Sequence, residues 1–242
     1  MERVTLTAGD TVAIVATARK VTREELVPAI SFLEENGFNV ILGPHLFEEE
    51  NQYAGADELR AAAVQWAIDH PQVKAIWCAR GGYGTMRLMD KINLRPLLDQ
   101  PKILAGFSDI TMLHSALHQL GISSLHSTMP LSWPGNSPET HQTFLDALTG
   151  KKLEYSTVVH PLNRTGTASG PLVGGNLSLL YALSGTPWKL DTAGKILFIE
   201  DLDEYLYHID RMMLALKMSG QLSQLAGLVI GGMSDMRDNA IP

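Results

Sequence analysis

The chain has 242 residues, 45% of them hydrophobic and 19% charged, with a net charge of −7. That length supports one large domain or two modest ones with a sizeable core. The acidic balance, with no basic run, argues against a nucleic-acid partner and against a polybasic membrane patch.

The first element expected is a buried parallel strand, TVAIVATA (11–18), apolar on both faces. Thr22 and Glu25 have capping-box spacing and open a helix that stops at Gly37. A strand FNVILG (38–43), a helix 56–70 and a strand VKAIWCA (73–79) follow, with Ala63, Trp66 and Ala67 on one helix face. Thr85–Met89 reads as the start of another helix, KILAGF (102–107) as a strand and residues 109–120 as a helix ended by Gly121. This alternation predicts a three-layer α/β domain with a mostly parallel sheet over residues 1–150.

The pattern changes near residue 134. WPGNSPET is turn-rich, TFLDALTG closes a short helix, and LEYSTVVH alternates like an antiparallel strand. A Gly-, Pro- and Thr-rich stretch marks a linker at 151–170. A smaller, β-rich α/β domain is expected over 171–242, with a helix near 177–184, a strand 195–200, a helix 203–220 and a strand 225–233. That last strand aims into a core and is followed only by a short polar segment, so this domain reads as truncated.

The lone Cys78 cannot form an internal disulfide, the N-terminus lacks a signal-peptide stretch, and no apolar run reaches about 20 residues. A soluble cytoplasmic protein is the expectation. Cys78 lies inside a strand and reads as a buried structural thiol.

Three loops could carry chemistry. In AGFSDIT (105–111) an apolar strand delivers Ser108 to the first turn of a helix, beyond the carboxyl edge of the sheet, where ligands of open α/β sheets bind. A serine there has an exposed hydroxyl, and the Asp109 N–H can face an oxyanion. Local sequence alone favours a simple N-cap. The hydrolase elbow pattern is half matched: Gly106 fits, but Ile110 stands where a second glycine would be. In ARGGYGTMR (79–87) the Gly82 N–H is the choice for a second oxyanion donor, and a tight strand–helix turn is an equal alternative. Arg80 could hold a substrate carboxylate bidentately, and Tyr83 is a further substrate-binding candidate. In LFIEDLDEYLYHIDRMM (197–213) Glu200 ends a strand and could orient a histidine. Asp203 and Glu204 suit the first turn of the following helix.

Asn176, in GGNLSLLYALSGTPW (174–188), either lines a cleft or serves as a turn and cap. His114 and His118 are four apart without a nearby acid in the motif and read as a solvated or core pair. No metal site and no cofactor are expected.

Taken together, AIWCARGGYGTMRLMD, LAGFSDIT, GGNLSLLYALSGTPW and LFIEDLDEYLYHIDRMM resemble, in this order, the LD-carboxypeptidases of the S66 serine-peptidase type. The resemblance spans nearly the whole chain and includes the microcin C immunity-type hydrolases. It implies an N-terminal α/β domain, a smaller C-terminal domain and a Ser–Glu–His triad. Ser108 falls on the nucleophile, Glu200 on the acid, and Gly82 and Asp109 on the oxyanion donors. It further implies a peptide substrate, removal of the terminal D-alanine of murein tetrapeptide in cell-wall recycling, and a homodimer. The alternatives are a peptidyl-nucleotide hydrolase and a non-catalytic ligand binder.

Two departures stand out. Thr17-Ala18 replaces a Pro-Ser found in many relatives. The family histidine lies in a motif beyond GLVIGGM that these 242 residues do not reach, and His208 lies outside that motif and does not inherit the role. The 242-residue chain is therefore expected to be inactive or nearly so.

Overall fold

A computed structural model describes residues 4–240. The chain divides into two compact units between Lys151 and Lys152. The expected α/β architecture, with parallel sheets and helices, is what both units show.

The first unit carries a five-stranded sheet in the order β2-β1-β3-β4-β5, parallel throughout. Its strands are β1 (Thr11–Val15), β2 (Asn39–Leu42), β3 (Val73–Cys78), β4 (Ile103–Gly106) and β5 (Leu125–His126). Between them run α1 (Arg23–Glu35), α2 (Asp57–Asp69), the single turn α3 (Pro96–Asp99) and α4 (Thr111–Gln119), with α5 (Pro138–Leu148) following β5. The central strands are apolar on both faces because helices cover both faces, and Val12, Ile14, Ala75, Trp77, Ile103 and Ala105 join one core. Trp77 stacks on Phe144, and its Nε1 donates to the Thr128 carbonyl at 2.9 Å.

The capping box at Thr22 forms: Thr22 Oγ1 accepts from Glu25 N, and Glu25 Oε2 accepts from Thr22 N at 2.8 Å. The helix expected from Thr85 is only a 3-10 turn, Thr85–Leu88. Another 3-10 turn, Ser108–Ile110, precedes α4.

The alternating stretch 153–160 forms no strand. Alternation stabilises a strand only where one face meets a core and the backbone meets a neighbour. Here Tyr155, Val158 and Val159 are all exposed.

The second unit has three parallel strands, β6 (Leu172–Asn176), β7 (Ile196–Leu202) and β8 (Gly227–Ser234), in the order β6-β7-β8. Helices α6 (Leu177–Leu183) and α7 (Leu206–Met218) complete it. Val173, Leu177, Leu180, Leu197, Ile199 and Met212 form its core. Helix α7 begins at Leu206 rather than 203. Asp203 instead takes a left-handed backbone, φ +62°, and pairs with Arg237. Glu204 accepts from Ser178 Oγ at 3.1 Å and pairs with His208 Nδ1 at 2.7 Å. Specific partners, not the helix dipole, hold these two acids.

Candidate active site

In an open parallel sheet the ligand crevice lies beyond the carboxyl ends of the strands, where the strand order reverses. The order β2-β1-β3-β4-β5 puts that reversal between β1 and β3. Three segments leave the sheet around it: residues 16–20 after β1, residues 79–84 after β3, and Phe107 and Ser108 after β4.

Ser108 is not a helix cap. The N-cap position of its 3-10 turn belongs to Phe107, that of α4 to Ile110, and Ser108 itself has φ +60°. An N-cap residue takes extended backbone. A serine in the left-handed region at a strand-to-helix turn is strained, and this is the geometry that lifts a nucleophile clear of the sheet. The turn is anchored from behind. The carbonyl of Gly106 accepts from His114 Nε2 at 2.9 Å and from Ser127 N at 3.0 Å. A carbonyl can only accept, so Nε2 carries the proton and Nδ1 accepts from the Ser124 hydroxyl at 2.7 Å. Burial pushes the His114 pKa down to about 4, so the ring is neutral at pH 7. This is a satisfied core histidine.

The glycine loop meets this turn. A Cβ built on Gly81 would lie 3.3 Å from Ser108 Oγ and 3.4 Å from Asp109 N. Gly81 is thus the loop residue directly against the hydroxyl, with Gly82 next to it at φ +113°. The buried Asp109 carboxylate ties the two segments together, because its Oδ2 accepts from Thr85 N at 2.8 Å.

Thr85 Oγ1 lies 3.0 Å from Thr17 Oγ1, which joins the segment after β1 to the same network. The buried Arg60 of α2 completes it. Arg60 Nη1 donates to the carbonyls of Thr17 at 2.6 Å and Gly84 at 3.1 Å, its Nε donates to Gly55, and its Nη2 pairs with Asp57.

Arg80 is half-buried and spends one N–H on the Lys20 carbonyl, 3.0 Å away. Tyr83 is exposed, hydrogen-bonds Arg87 and lies 6.1 Å from the Tyr53 ring. Cys78 is fully buried, and burial raises its thiol to about 12, which suits a structural role. Sequence reasoning passed over Arg60 and Arg19, and read His114 with His118 as a solvated or core pair. Their positions follow from tertiary contacts that no local motif announces.

In the second unit Glu200 lies inside β7 and not at its end. It sits opposite a bulge in β8, where the two steps from Ile199 to Asp201 on β7 match three steps from Ile230 to Met233 on β8. Glu200 itself keeps the alternation of β7, on the face opposite Ile199 and Asp201. Burial, and then the charge of Asp201, push the Glu200 carboxyl up to about 7, against a hydrogen bond from Asn176. Asn176 is buried and caps α6, its side chain accepting from Leu179 N at 3.2 Å. Its Nδ2 donates to Asp201 Oδ1 at 2.9 Å, while Asp201 Oδ2 accepts from Ser178 N and Oγ. Asn176 therefore acts as cap and as neighbour of Glu200 together.

Two family models match the chain: the LD-carboxypeptidase N-terminal domain over residues 12–127 and the LD-carboxypeptidase C-terminal domain over residues 169–241. A Bacillus subtilis protein named "Probable murein peptide carboxypeptidase" is 40% identical over 231 residues, covering 93% of this chain and 72% of that protein. The chain belongs to the LD-carboxypeptidase family. Its fold agrees with that of a solved muramoyltetrapeptide carboxypeptidase from Oxalobacter formigenes, with a TM-score of 0.85 and 32% identity over 94% of this chain and 78% of that one. The Escherichia coli microcin C7 self-immunity protein MccF is also similar, 22% identical over 262 residues, which cover 93% of this chain and 76% of that protein. Within the LD-carboxypeptidase family frame, Ser108 lies in the N-terminal family domain and Glu200 in the C-terminal one. No helix among the described residues is long and apolar enough to cross a membrane.

Proposed function

We propose that this protein is a serine carboxypeptidase that removes the terminal D-alanine of murein tetrapeptide by cutting an L-to-D peptide bond. The observation that carries the reading is the left-handed Ser108, set at the sheet's reversal point with Gly81 against its hydroxyl.

Ser108 Oγ attacks the scissile carbonyl carbon and passes its proton to a histidine base. The oxygen of the tetrahedral intermediate takes the negative charge and accepts from the N–H groups of Asp109 and Gly82. Such donors contribute roughly 3–4 kcal/mol each in comparable sites. Collapse breaks the C–N bond, and the histidine returns the proton to the departing amine, releasing D-alanine. Water then attacks the acyl-enzyme by the same route and frees the tripeptide. Glu200 takes the place of the acid that orients the histidine. Arg80 and Tyr83 belong to the substrate rim of the glycine loop, and Asn176 supports Glu200.

The likeness to MccF supports a second reading, hydrolysis of a peptidyl-nucleotide. The test is release of free D-alanine from murein tetrapeptide by the product of the complete gene, with a peptidyl-nucleotide assayed beside it. D-Alanine release with intact tripeptide left behind is the expected result. Turnover of the nucleotide conjugate alone would replace the first reading with the second, and turnover of neither would leave a ligand-binding protein.

A further inference from the structure

The segment after β1 brings a cation to the glycine loop. Its backbone is fixed: Ala54 N donates to the Ala18 carbonyl and Lys20 N to the Gln52 carbonyl, both at 3.1 Å, and Arg19 bridges to Tyr53. The Arg19 side chain is exposed and lies along Gly82. A Cβ built on Gly82 would fall 2.7 Å from Arg19 Cδ, 3.1 Å from Cγ and 3.0 Å from Nε. Since Gly81 faces Ser108 Oγ, the guanidinium stands about one residue from the reacting hydroxyl.

Neighbouring cations are engaged: Lys20 pairs with Glu49, Arg60 and Arg87 share Asp57, and Arg80 donates to the Lys20 carbonyl at 3.0 Å. Among the described residues no carboxylate pairs with Arg19. An arginine offers five N–H donors in a fork that matches a carboxylate.

We propose that Arg19 binds the free α-carboxylate of the substrate's terminal residue. This rests on the reading of Ser108 as nucleophile and adds the group that makes the cut an exopeptidase one. An enzyme that removes a single residue must read a carboxylate one residue beyond the scissile carbonyl. Successive Cα atoms are about 3.8 Å apart, so with the carbonyl oxygen at the Gly82 and Asp109 N–H groups the carboxylate falls within reach of a guanidinium lying over Gly82. The pair forms a bidentate, charge-assisted contact in the crevice. Gly82 is needed here for a second reason besides its left-handed backbone, because any Cβ would displace Arg19.

The experiment compares murein tetrapeptide with its C-terminal carboxamide, using the product of the complete gene and its Arg19→Ala variant. Hydrogen bonds to charged groups are worth enough that the wild type is expected to favour the acid in kcat/KM by about ten- to a hundredfold. In Arg19→Ala that preference collapses toward one. A wild type without the preference, or a variant that keeps it, overturns the proposal. The same ratio, read as Kd by calorimetry with Ser108→Ala as background, needs no turnover. It therefore separates failure of the carboxylate site from failure of the nucleophile assignment.

Discussion

At residue scale the central fact is a serine held where glycine is at ease. A left-handed backbone costs a non-glycine residue about 1–2 kcal/mol, and such strain persists only where the surroundings over-determine it. Around Ser108 they do: His114 and Ser127 pin the Gly106 carbonyl behind it, and Asp109 is tied to Thr85 in front. Alanine at 108 keeps the strain and glycine relieves it, at the cost of a more flexible unfolded chain. Ser108→Gly should therefore be more stable than Ser108→Ala by about 0.5–1 kcal/mol in urea unfolding. Equal stability of the two would mean that the turn is not strained. The sequence marked Ser108 through its place between a strand and a helix and through the family motif. It could not reveal the φ of +60° that rules out a cap. Arg19 carried no signal at all, because its contact with Gly82 joins loops more than sixty residues apart.

Among the elements, α2 does more than cover the sheet. Read from sequence it is an alanine-rich helix with one apolar face. The structure places Arg60 on its buried side, where it holds the Thr17, Gly84 and Gly55 carbonyls and pairs with Asp57. The Thr17 and Gly84 carbonyls belong to the segments around the crevice, so Arg60 is a positioning residue for the glycine loop. Arg60→Met keeps the bulk and strands these acceptors. It should cost roughly 3 kcal/mol or more of stability in urea unfolding, and kcat should fall in the folded fraction. Periodicity located β1, β3 and β4 because central parallel strands are apolar on both faces, and it gave no strand at β5 or β6. It misplaced 153–160, where alternation exists without a partner strand. It also assigned Asp203 and Glu204 to a helix start, whereas the helix begins at Leu206, Asp203 pairs with Arg237 and Glu204 accepts from Ser178.

Across the whole molecule the two units carry titrating groups of opposite sense. In the first, His114 is held neutral, with its pKa lowered from 6.5 to about 4. Over that range the unfolded chain binds more protons, so this unit loses stability as pH falls from about 6.5 to about 4. In the second, Glu200 is raised from 4.5 to about 7, so the folded form binds more protons and stability falls as pH rises through that window. Glu200→Gln removes the second effect. The melting temperature of the variant relative to wild type should be higher at pH 7.5 than at pH 5, and a difference independent of pH would contradict the burial argument. A cationic histidine beside Glu200 would lower its pKa and be raised in turn, which is the coupling a catalytic acid–histidine pair requires. The family motifs made the two-part fold and both candidate carriers of chemistry, Ser108 and Glu200, legible in sequence. The β8 bulge opposite Glu200 depends on strand pairing and was not.

The most direct test of the account is the rate of D-alanine release from murein tetrapeptide by the complete gene product against its Ser108→Ala variant, with melting curves to show that both are folded. The expected result is a loss of more than about a thousandfold, since a missing nucleophile leaves only binding and oxyanion stabilisation. A folded Ser108→Ala variant that released D-alanine at the wild-type rate would contradict the assignment of Ser108 as nucleophile.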